Sequence, residues 1–146
     1  MKNPVTDICD LNRELPPDAP DAPQWLVDAL QVPREEGWVN SDGCDVHYFR
    51  WGDPANPPLL LMHGFLAHAR CMAFIAPFLA EQYHVVAYDL SGMGDSGVRS
   101  SYPDAVRVQE VVDVARETGL FDHAIKPIVI AHSYGCLLYT SEAADE

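Results

Sequence analysis

The sequence predicts an α/β protein in which a β-hairpin is followed by a mostly parallel sheet covered by helices. Short continuous apolar runs, typical of strands that are buried on both faces, occupy residues 59–62, 85–88 and 128–131, and helix-like segments separate them. A segment of loosely alternating residues with a central turn precedes the first run. The length of 146 residues allows one domain and little more.

Composition and charge exclude several classes of protein. The chain carries 9 basic and 22 acidic side chains, and the net charge of -13 argues against binding to nucleic acid. No apolar run approaches the roughly 20 residues that span a bilayer, so we expect no membrane span. The first residues lack the apolar stretch of a secretory signal, which predicts a cytoplasmic protein. The 4 scattered cysteines form no Cys-x-x-Cys pair, so we expect no metal, no disulfide framework and no cofactor.

The first 36 residues are predicted to form an acidic, proline-rich arm with a short helix. Half of the 12 prolines lie within the first 33 residues, and residues 15–23 have the composition of an extended segment. A helix over residues 24–30 that rests on the body of the protein is indicated by the spacing of Trp25, Leu26, Ala29 and Leu30.

The β-hairpin is predicted between Trp38 and Trp51. Its turn is the Asp42-Gly43 pair, and the residues on either side alternate loosely between apolar and polar side chains. The hairpin opens the core segment, which we place at residues 37–135.

Two helices are predicted between the apolar runs. In residues 71–82, Pro77 should keep the regular part of the helix short. In residues 104–118, Asp104 is a candidate N-cap and Gly119 a candidate stop. The side chains expected on the buried faces are Phe74, Ile75, Phe78 and Leu79 of the first helix, and Val108, Val111, Val112 and Ala115 of the second.

Each apolar run ends in a turn with chemically interesting residues. Ligands of open α/β sheets gather at the carboxyl ends of the strands, so these turns are where a site is expected. The turns are His63-Gly64-Phe65, residues 89–97 and His132-Ser133-Tyr134-Gly135.

The third turn nearly fits the G-x-S-x-G nucleophile elbow, with Ser133 at the serine position. A strand-to-helix turn this sharp strains the serine backbone and requires small residues two before and two after it. Gly135 satisfies the second requirement, and Ala131 differs from the first glycine by one methyl group. The pattern predicts a serine nucleophile, and its alternative is an ordinary turn serine.

The first turn could supply a backbone donor for an oxyanion. Gly64 lets the chain bend after His63 and leaves the N–H of Phe65 pointing into the cleft. Together with the N–H of Tyr134, this makes two donors, an arrangement worth several kcal/mol in acyl transfer. The alternative is a plain strand-terminating turn.

The second turn satisfies the dinucleotide fingerprint G-x-G-x-x-G through Gly92, Gly94 and Gly97. That fingerprint requires a helix that opens on the glycines, whereas here Pro103 delays the helix. Glu117, at the distance expected of the ribose-binding acid, lies inside the predicted helix instead of at the end of a strand. We favour a tight loop in which Asp89 and Asp95 accept backbone N–H groups.

The histidines add no base to Ser133. His132 adjoins the serine, but side chains of consecutive residues diverge at an elbow, so a packed or loop-bonded role is expected. Surface positions are expected for His47, His68, His84 and His123.

The three turns, in this order and at these separations, resemble the α/β-hydrolase fold superfamily over residues 38–135. The resemblance implies Ser133 as the nucleophile and the N–H groups of Phe65 and Tyr134 as the oxyanion hole. It further implies a small-molecule acyl substrate. Dehalogenases and epoxide hydrolases of the superfamily carry an aspartate where Ser133 stands, which disfavours those activities.

The superfamily places its acid and its base histidine after the serine, where this chain has only residues 136–146. Those residues are similar to the read-through translation of a transposon adapter used in sequencing libraries, from which they differ at Glu142. We therefore expect a truncated core, incomplete and inactive as written, followed by a non-native tail; the alternative is the genuine start of a helix. A nucleotide-binding module and a non-catalytic interaction domain remain the other functional hypotheses.

Overall fold

The computed structural model describes residues 22–142, and the side chains as far as Leu138. Five strands form one sheet in the order β1-β2-β4-β3-β5. The strands are β1 (Glu35–Ser41), β2 (Cys44–Trp51), β3 (Pro58–Met62), β4 (His84–Tyr88) and β5 (Ile128–Ala131); the helices are α1 (Gln24–Gln31), α2 (Ala76–Ala80), α3 (Asp104–Glu117) and α4 (Tyr134–Glu142), with a 3-10 helix at Ala69–Met72.

The predicted hairpin is confirmed as β1 and β2, which pair antiparallel from Ser41↔Cys44 outwards. Asp42 has φ 46 and Gly43 has φ 77, the two positive values that a type I′ turn requires. β2 then pairs antiparallel with β4, which places the hairpin at one side of the parallel strands.

The three apolar runs are confirmed as the parallel strands β3, β4 and β5. Every residue of β3 and β4 is buried, as predicted. The expectation for the third run is wrong on one point, because Ile128 and Ile130 of β5 are exposed. β5 lies at the edge of the sheet, and Ile128 and Ile130, although they share a face with Leu59 and Leu61, do not belong to the cluster that the 3-10 helix and α2 form on that face.

The core lies on both faces of the sheet. On one face, Leu60 and Met62 pack with Val114 of α3 and Leu138 of α4. On the other face, the packed side chains come from the strands, the 3-10 helix and the start of α2: Phe49, Trp51, Leu59, Leu61, Ala69, Ala73, Ala76, Val85 and Ala87. The sheet is therefore sandwiched over its centre, as the helix-covered fold requires.

The helix predicted over 71–82 is short, as expected from Pro77, which lies in the first turn of α2. The predicted buried face is wrong for three of its four side chains, since Phe74, Ile75 and Phe78 are exposed, whereas Leu79 packs partly buried against the core. Closest to the strands are the buried alanines Ala69, Ala73 and Ala76. Small residues let this segment approach the strands closely.

The helix over 104–118 is confirmed as α3, but its cap and its face differ from the prediction. The N-cap is Pro103, and Asp104 is the first helical residue. Gly119 does end the helix, with φ 76 and the N–H of Leu120 donating to Ala115 O. Of the predicted face, Ala115 is buried and Val111 packs against the core, but the buried side also includes the charged residues Arg107 and Glu110.

Helix α1 confirms the helix predicted over 24–30; its Ala29 is buried, while Trp25 is 52% exposed and lies against Phe78. The predicted extended arm before Ala22, and Cys9 within it, lie outside the described residues. Residues 136–142 continue α4, and Leu138 is buried in the core; that residues 136–146 are non-native stays a prediction. No helix in the described range 22–142 is long and apolar enough to cross a membrane.

Candidate active site

The three turns singled out in the sequence lie side by side at one edge of the sheet. In the parallel ladders, Met62 at the end of β3 pairs with Tyr88 of β4 on one side and with Ala131 of β5 on the other. The three turns therefore begin side by side, at the same end of the sheet. This edge is the carboxyl end of the parallel strands, where ligands bind in open α/β sheets.

Ser133 occupies a sharp turn between β5 and α4. Its φ is 52, in the left-handed region that side chains other than glycine rarely adopt. The turn is fixed on both sides: the N–H of His132 donates to Met62 O at 3.0 Å, and the N–H of Cys136 donates to Ser133 O at 3.0 Å. Ser133 itself is exposed. A strained, exposed serine held by a rigid frame is the geometry that the elbow pattern demands.

Two glycines allow the turns to approach each other closely. A Cβ on Gly135 would lie 3.0 Å from His63 O and 3.1 Å from Met62 Cβ. A Cβ on Gly64 would lie 3.1 Å from the Ser133 Cβ. Because a side chain at either position would push the two turns apart, these glycines bring the backbone after β3 against Ser133.

The two sequence-predicted donors flank this serine. Within residues 22–142, neither the N–H of Phe65 nor that of Tyr134 has a hydrogen-bond acceptor. Tyr134 is the first residue of α4, where backbone N–H groups have no partner inside the helix. The rings of Phe65 and Tyr134 meet edge to face, with centroids 6.0 Å apart, so the two residues border one space.

Leu66 follows Phe65 with φ 58, and the N–H of Ala67 donates to Gly64 O at 3.2 Å. A four-residue turn with a left-handed third residue is typical of type II, where glycine or asparagine is preferred. Leu66 is 78% exposed, so no packing among the described residues offsets its backbone strain.

The sequence predicts for His63 only a place in the turn, whereas in the structure its ring makes two buried hydrogen bonds. Its Nδ1 lies 2.7 Å from Gly64 O, and its Nε2 accepts the N–H of Leu90 at 3.1 Å. The carbonyl can only accept, and the amide can only donate, so the ring is neutral with its proton on Nδ1. Burial lowers the pKa of His63, which favours the same neutral form.

The loop after β4 encloses a carboxylate of the protein itself. Asp89 is fully buried and accepts the N–H groups of Ala69 and Asp95. A Cβ on Gly94 would lie 2.2 Å from Asp89 Cγ, so the loop glycine makes room for this side chain. The prediction for Asp89 holds, whereas Asp95 uses its own carboxylate to pair with Arg70.

The histidines predicted at the surface are largely buried, namely His47, His68 and His84. His47 bridges two acids, with Nδ1 2.7 Å from Asp89 Oδ2 and Nε2 2.8 Å from Glu36 Oε1. Burial lowers the pKa of His47, but its bonds to Asp89 and Glu36 outweigh burial and raise that pKa above its ordinary value. Burial would raise the pKa of Asp89, yet His47 and the backbone donors lower it overall.

His132 is exposed rather than packed, and its Nδ1 lies 2.9 Å from where a Cβ on Gly64 would be. No described hydrogen bond joins it to Ser133. Its ring lies close to the Gly64 turn, and its exposure is what differs from the predicted packed position.

A buried network of charged side chains is not predicted from the sequence. Glu110 of α3 accepts Arg99 Nε at 2.9 Å and Arg107 Nη1 at 3.3 Å, and it also accepts the N–H of Ser91. Arg99 donates in turn to the carbonyl oxygens of Ser41 and Asp42 in the hairpin turn. The network ties the loop after β4 to both α3 and the hairpin.

Three side chains among the described residues are close enough to hold a metal ion, but they are already bonded to other protein groups. Ligand atoms of Glu36, His47 and Asp95 lie within 4.8 Å of one another. Both ring nitrogens of His47 are already bonded to carboxylates, and Asp95 pairs with Arg70. A cation there would have to displace these partners.

Comparison with known proteins identifies the family. A model of the alpha/beta hydrolase family matches residues 59–144, which is more than half of the 146 residues. The chain therefore belongs to the alpha/beta hydrolase family.

Several of the similar proteins are hydrolases of different kinds. The uncharacterized hydrolase YNR064C of Saccharomyces cerevisiae is 38% identical over 61 residues, which cover 42% of this chain and 21% of that protein. Epoxide hydrolase 3 of Xenopus tropicalis is 28% identical over 100 residues, 66% of this chain and 26% of that protein. The solved thioesterase domain from the curacin biosynthetic pathway has a TM-score of 0.68 at 28% identity, covering 77% of this chain and 40% of that chain. The chain thus spans between about a fifth and two fifths of the length of these proteins.

Proposed function

We propose that this chain carries the nucleophile of a serine hydrolase acting on a carboxylic ester or a related acyl substrate, and that Ser133 is that nucleophile. The observation that carries the proposal is the elbow itself: Ser133 is strained at φ 52 and exposed, beside two backbone N–H groups without acceptors. Strained residues at an exposed strand end, next to unpartnered donors, are typical of sites that bind a reacting group.

In the proposed reaction, Ser133 Oγ attacks the carbonyl carbon of the substrate. Its proton passes to a base, and the carbonyl electron pair moves onto oxygen, where the N–H groups of Phe65 and Tyr134 stabilise the negative charge. The intermediate collapses to an acyl-enzyme while the base returns the proton to the leaving group. Water then hydrolyses the acyl-enzyme and releases the carboxylic acid product. We propose that the base histidine and its acid come from outside residues 1–146, in keeping with the greater length of the relatives.

Within this proposal, residues 37–135 form the part of the catalytic core present in this chain, residues 1–36 an N-terminal arm and residues 136–146 a non-native tail. The named relatives include an epoxide hydrolase and a thioesterase domain. A serine at position 133 favours acyl chemistry, because its attack on a carbonyl gives an ester that water can cleave, whereas its attack on an epoxide carbon would give an ether that water cannot cleave.

A nucleotide-binding module fits the described geometry less well. The helix after Gly92, Gly94 and Gly97 begins only at Asp104, so the glycines do not open onto its N-terminus. The space beside Gly94 is filled by the Asp89 carboxylate, which would repel a phosphate. A non-catalytic interaction domain would not need a strained serine between two free donors.

Labelling with a fluorophosphonate probe tests the proposal, because the probe reacts with an activated serine. The protein is expressed from its uninterrupted reading frame, meaning the gene that continues past Gly135 with natural residues in place of the adapter-like tail. It is compared with Ser133→Ala and with Ser101→Ala, an exposed control outside the turn. We expect Ser133→Ala alone to abolish both labelling and ester hydrolysis without loss of the fold. A Ser133→Ala variant that keeps more than a few per cent of the activity would refute the assignment.

The 146-residue chain by itself is expected to be catalytically silent. Loss of the partners of a serine nucleophile costs on the order of 10⁶ in turnover. Burst release of p-nitrophenol from a short-chain ester by this chain, abolished in Ser133→Ala, would show instead that a nearby group such as His132 suffices as the base.

A further inference from the structure

We propose that His63 is a positioning residue for the oxyanion hole: its ring fixes the Gly64–Phe65 peptide so that the N–H of Phe65 faces the space beside Ser133. The proposal rests on the proposed function, since it concerns the same site. It assigns to His63 a role beyond ending β3.

The argument begins with the geometry of the peptide group. In a trans peptide the C=O and the N–H point in opposite directions, and no cis peptide occurs among the residues that the structure describes. The carbonyl of Gly64 is the acceptor for His63 Nδ1 at 2.7 Å. Whatever holds that carbonyl on the buried side therefore holds the N–H of Phe65 on the opposite side.

The turn alone does not fix this direction relative to the rest of the fold. The N–H of Ala67 also donates to Gly64 O, but residues 64–67 could pivot as one unit about the flexible Gly64. His63 prevents that motion because it is 1% exposed and its Nε2 accepts the N–H of Leu90, which follows β4. The ring thus links the peptide to a rigid neighbouring strand.

Both hydrogen bonds require one protonation state of the ring. The charged groups nearest to His63 are Asp89, His68 and Arg107; Asp89 favours the protonated ring, whereas the other two oppose it. Burial is the dominant influence and lowers the pKa of His63. A neutral ring with its proton on Nδ1 is the less common tautomer of free histidine, so it provides a spectroscopic marker of this arrangement.

A matched pair of variants separates the two bonds. His63→Asn places an amide N–H near the position of Nδ1 and keeps a donor for Gly64 O. His63→Gln places an amide oxygen near Nε2, which keeps an acceptor for Leu90 but removes the donor for Gly64. A purely structural role predicts similar losses of kcat in both variants. The proposed role predicts a large loss of kcat only in His63→Gln, which lacks the bond to Gly64 O.

The experiment measures ester hydrolysis by the protein expressed from its uninterrupted reading frame. We expect kcat of His63→Gln to fall about 100-fold, comparable to the loss of an oxyanion donor, with KM little changed. His63→Asn should keep kcat within about tenfold of the parent protein. Equal losses in the two variants, or a change confined to KM, would overturn the proposal.

Nitrogen-15 NMR supplies a readout that does not depend on turnover. The parent protein should show His63 protonated on Nδ1, and phosphonylation of Ser133 should shift the amide proton of Phe65 downfield in the parent and in His63→Asn but not in His63→Gln. If His63→Gln fails to fold, the parent decides: a proton on Nε2, or a Phe65 amide unmoved by phosphonylation, refutes the proposal. A parent protein in which Ser133 is never labelled would instead refute the proposed function.

Discussion

The loop after β4 and the turns after β3 and β5 lie side by side and both depend on glycine, yet their polar groups are used differently. In the loop, the Asp89 carboxylate accepts the N–H groups of Ala69 and Asp95, and Gly94 leaves the space that this carboxylate fills. At the other two turns, the N–H groups of Phe65 and Tyr134 have no acceptor within the described range of residues.

The difference shows how a structural glycine motif can be told from a candidate site. Buried polar groups in folded proteins are paired, and a loop that is saturated with internal bonds has nothing left to offer a ligand. The elbow combines free donors with a strained serine, and such strain persists only where the surroundings enforce it. In sequence both motifs appear simply as small residues after a strand.

The largest effect predicted from this comparison concerns the donor at Phe65. Phe65→Pro removes the N–H while keeping the turn, because proline is favoured at the second position of a type II turn and Gly64 before it is conformationally free. In the uninterrupted protein, kcat for ester hydrolysis should fall between about 10²- and 10³-fold, the cost of one oxyanion donor. Steady-state kinetics with a chromogenic ester measures this.

Phe65→Ala is the matched control, since alanine keeps the backbone N–H and removes only a ring that is 64% exposed. It should leave kcat nearly unchanged and alter mainly KM. A Phe65→Pro variant that folds, as judged by circular dichroism, and turns over like Phe65→Ala would exclude this N–H from the oxyanion hole.

The next effect is on stability and concerns the saturated loop. In Gly94→Ala, the new Cβ would lie 2.2 Å from Asp89 Cγ in a backbone with φ 52, so both the carboxylate and the loop must move. We expect a loss of about 3 kcal/mol in the free energy of unfolding. Denaturant titration of the chain measures it.

Gly43→Ala provides a control that shares a positive φ but has no clash. Its φ is 77 and nothing lies within 4 Å of the added Cβ, so the loss should be about 1 kcal/mol. Equal losses in the two variants would show that the Asp89 contact contributes nothing. Loss of a bound nucleotide in Gly94→Ala, without loss of stability, would restore the nucleotide-binding hypothesis.

Features set by neighbouring residues could be predicted from the sequence. The Asp42-Gly43 turn, the three apolar strands and the short helix at Pro77 each follow from local conformational preferences. The elbow could also be predicted, because its pattern lies in Ser133 and its immediate neighbours, although contacts with Met62 and His63 hold the turn in place.

Features set by distant partners could not be predicted. His47 is separated from Asp89 by 42 positions and from Glu36 by 11, so nothing in its own surroundings in sequence showed that it is buried. The same holds for Glu110, whose partner Arg99 reaches the hairpin turn 57 positions away. Apolar periodicity assigns a charged residue to the solvent side, and only a tertiary partner can offset the cost of burying it.

The smallest effect expected here is a pH dependence of stability that comes from His47. Its pKa is raised in the folded chain, so its stabilising contribution is complete below the unfolded value of about 6.5 and is lost as the pH rises through the folded pKa. The lowered pKa values of His63, His68 and His84 act in the opposite direction, because the unfolded chain loses its histidine protons at about pH 6.5.

Between about pH 6.5 and pH 8, the His47 contribution therefore lowers the free energy of unfolding while the other three histidines raise it, so the His47 part is isolated by comparing the parent with His47→Gln at each pH. Above that window, ionisation of Cys44, whose pKa burial raises, would add a second dependence. His47→Gln can still donate one hydrogen bond but cannot titrate, so the stability difference between the parent and this variant should be largest at about pH 6.5 and smaller at about pH 8. Urea titrations at closely spaced pH values measure both proteins. A stability difference between the parent and His47→Gln that stays constant or grows over this window would mean that the Glu36–His47–Asp89 chain is not ionised as its hydrogen bonds require.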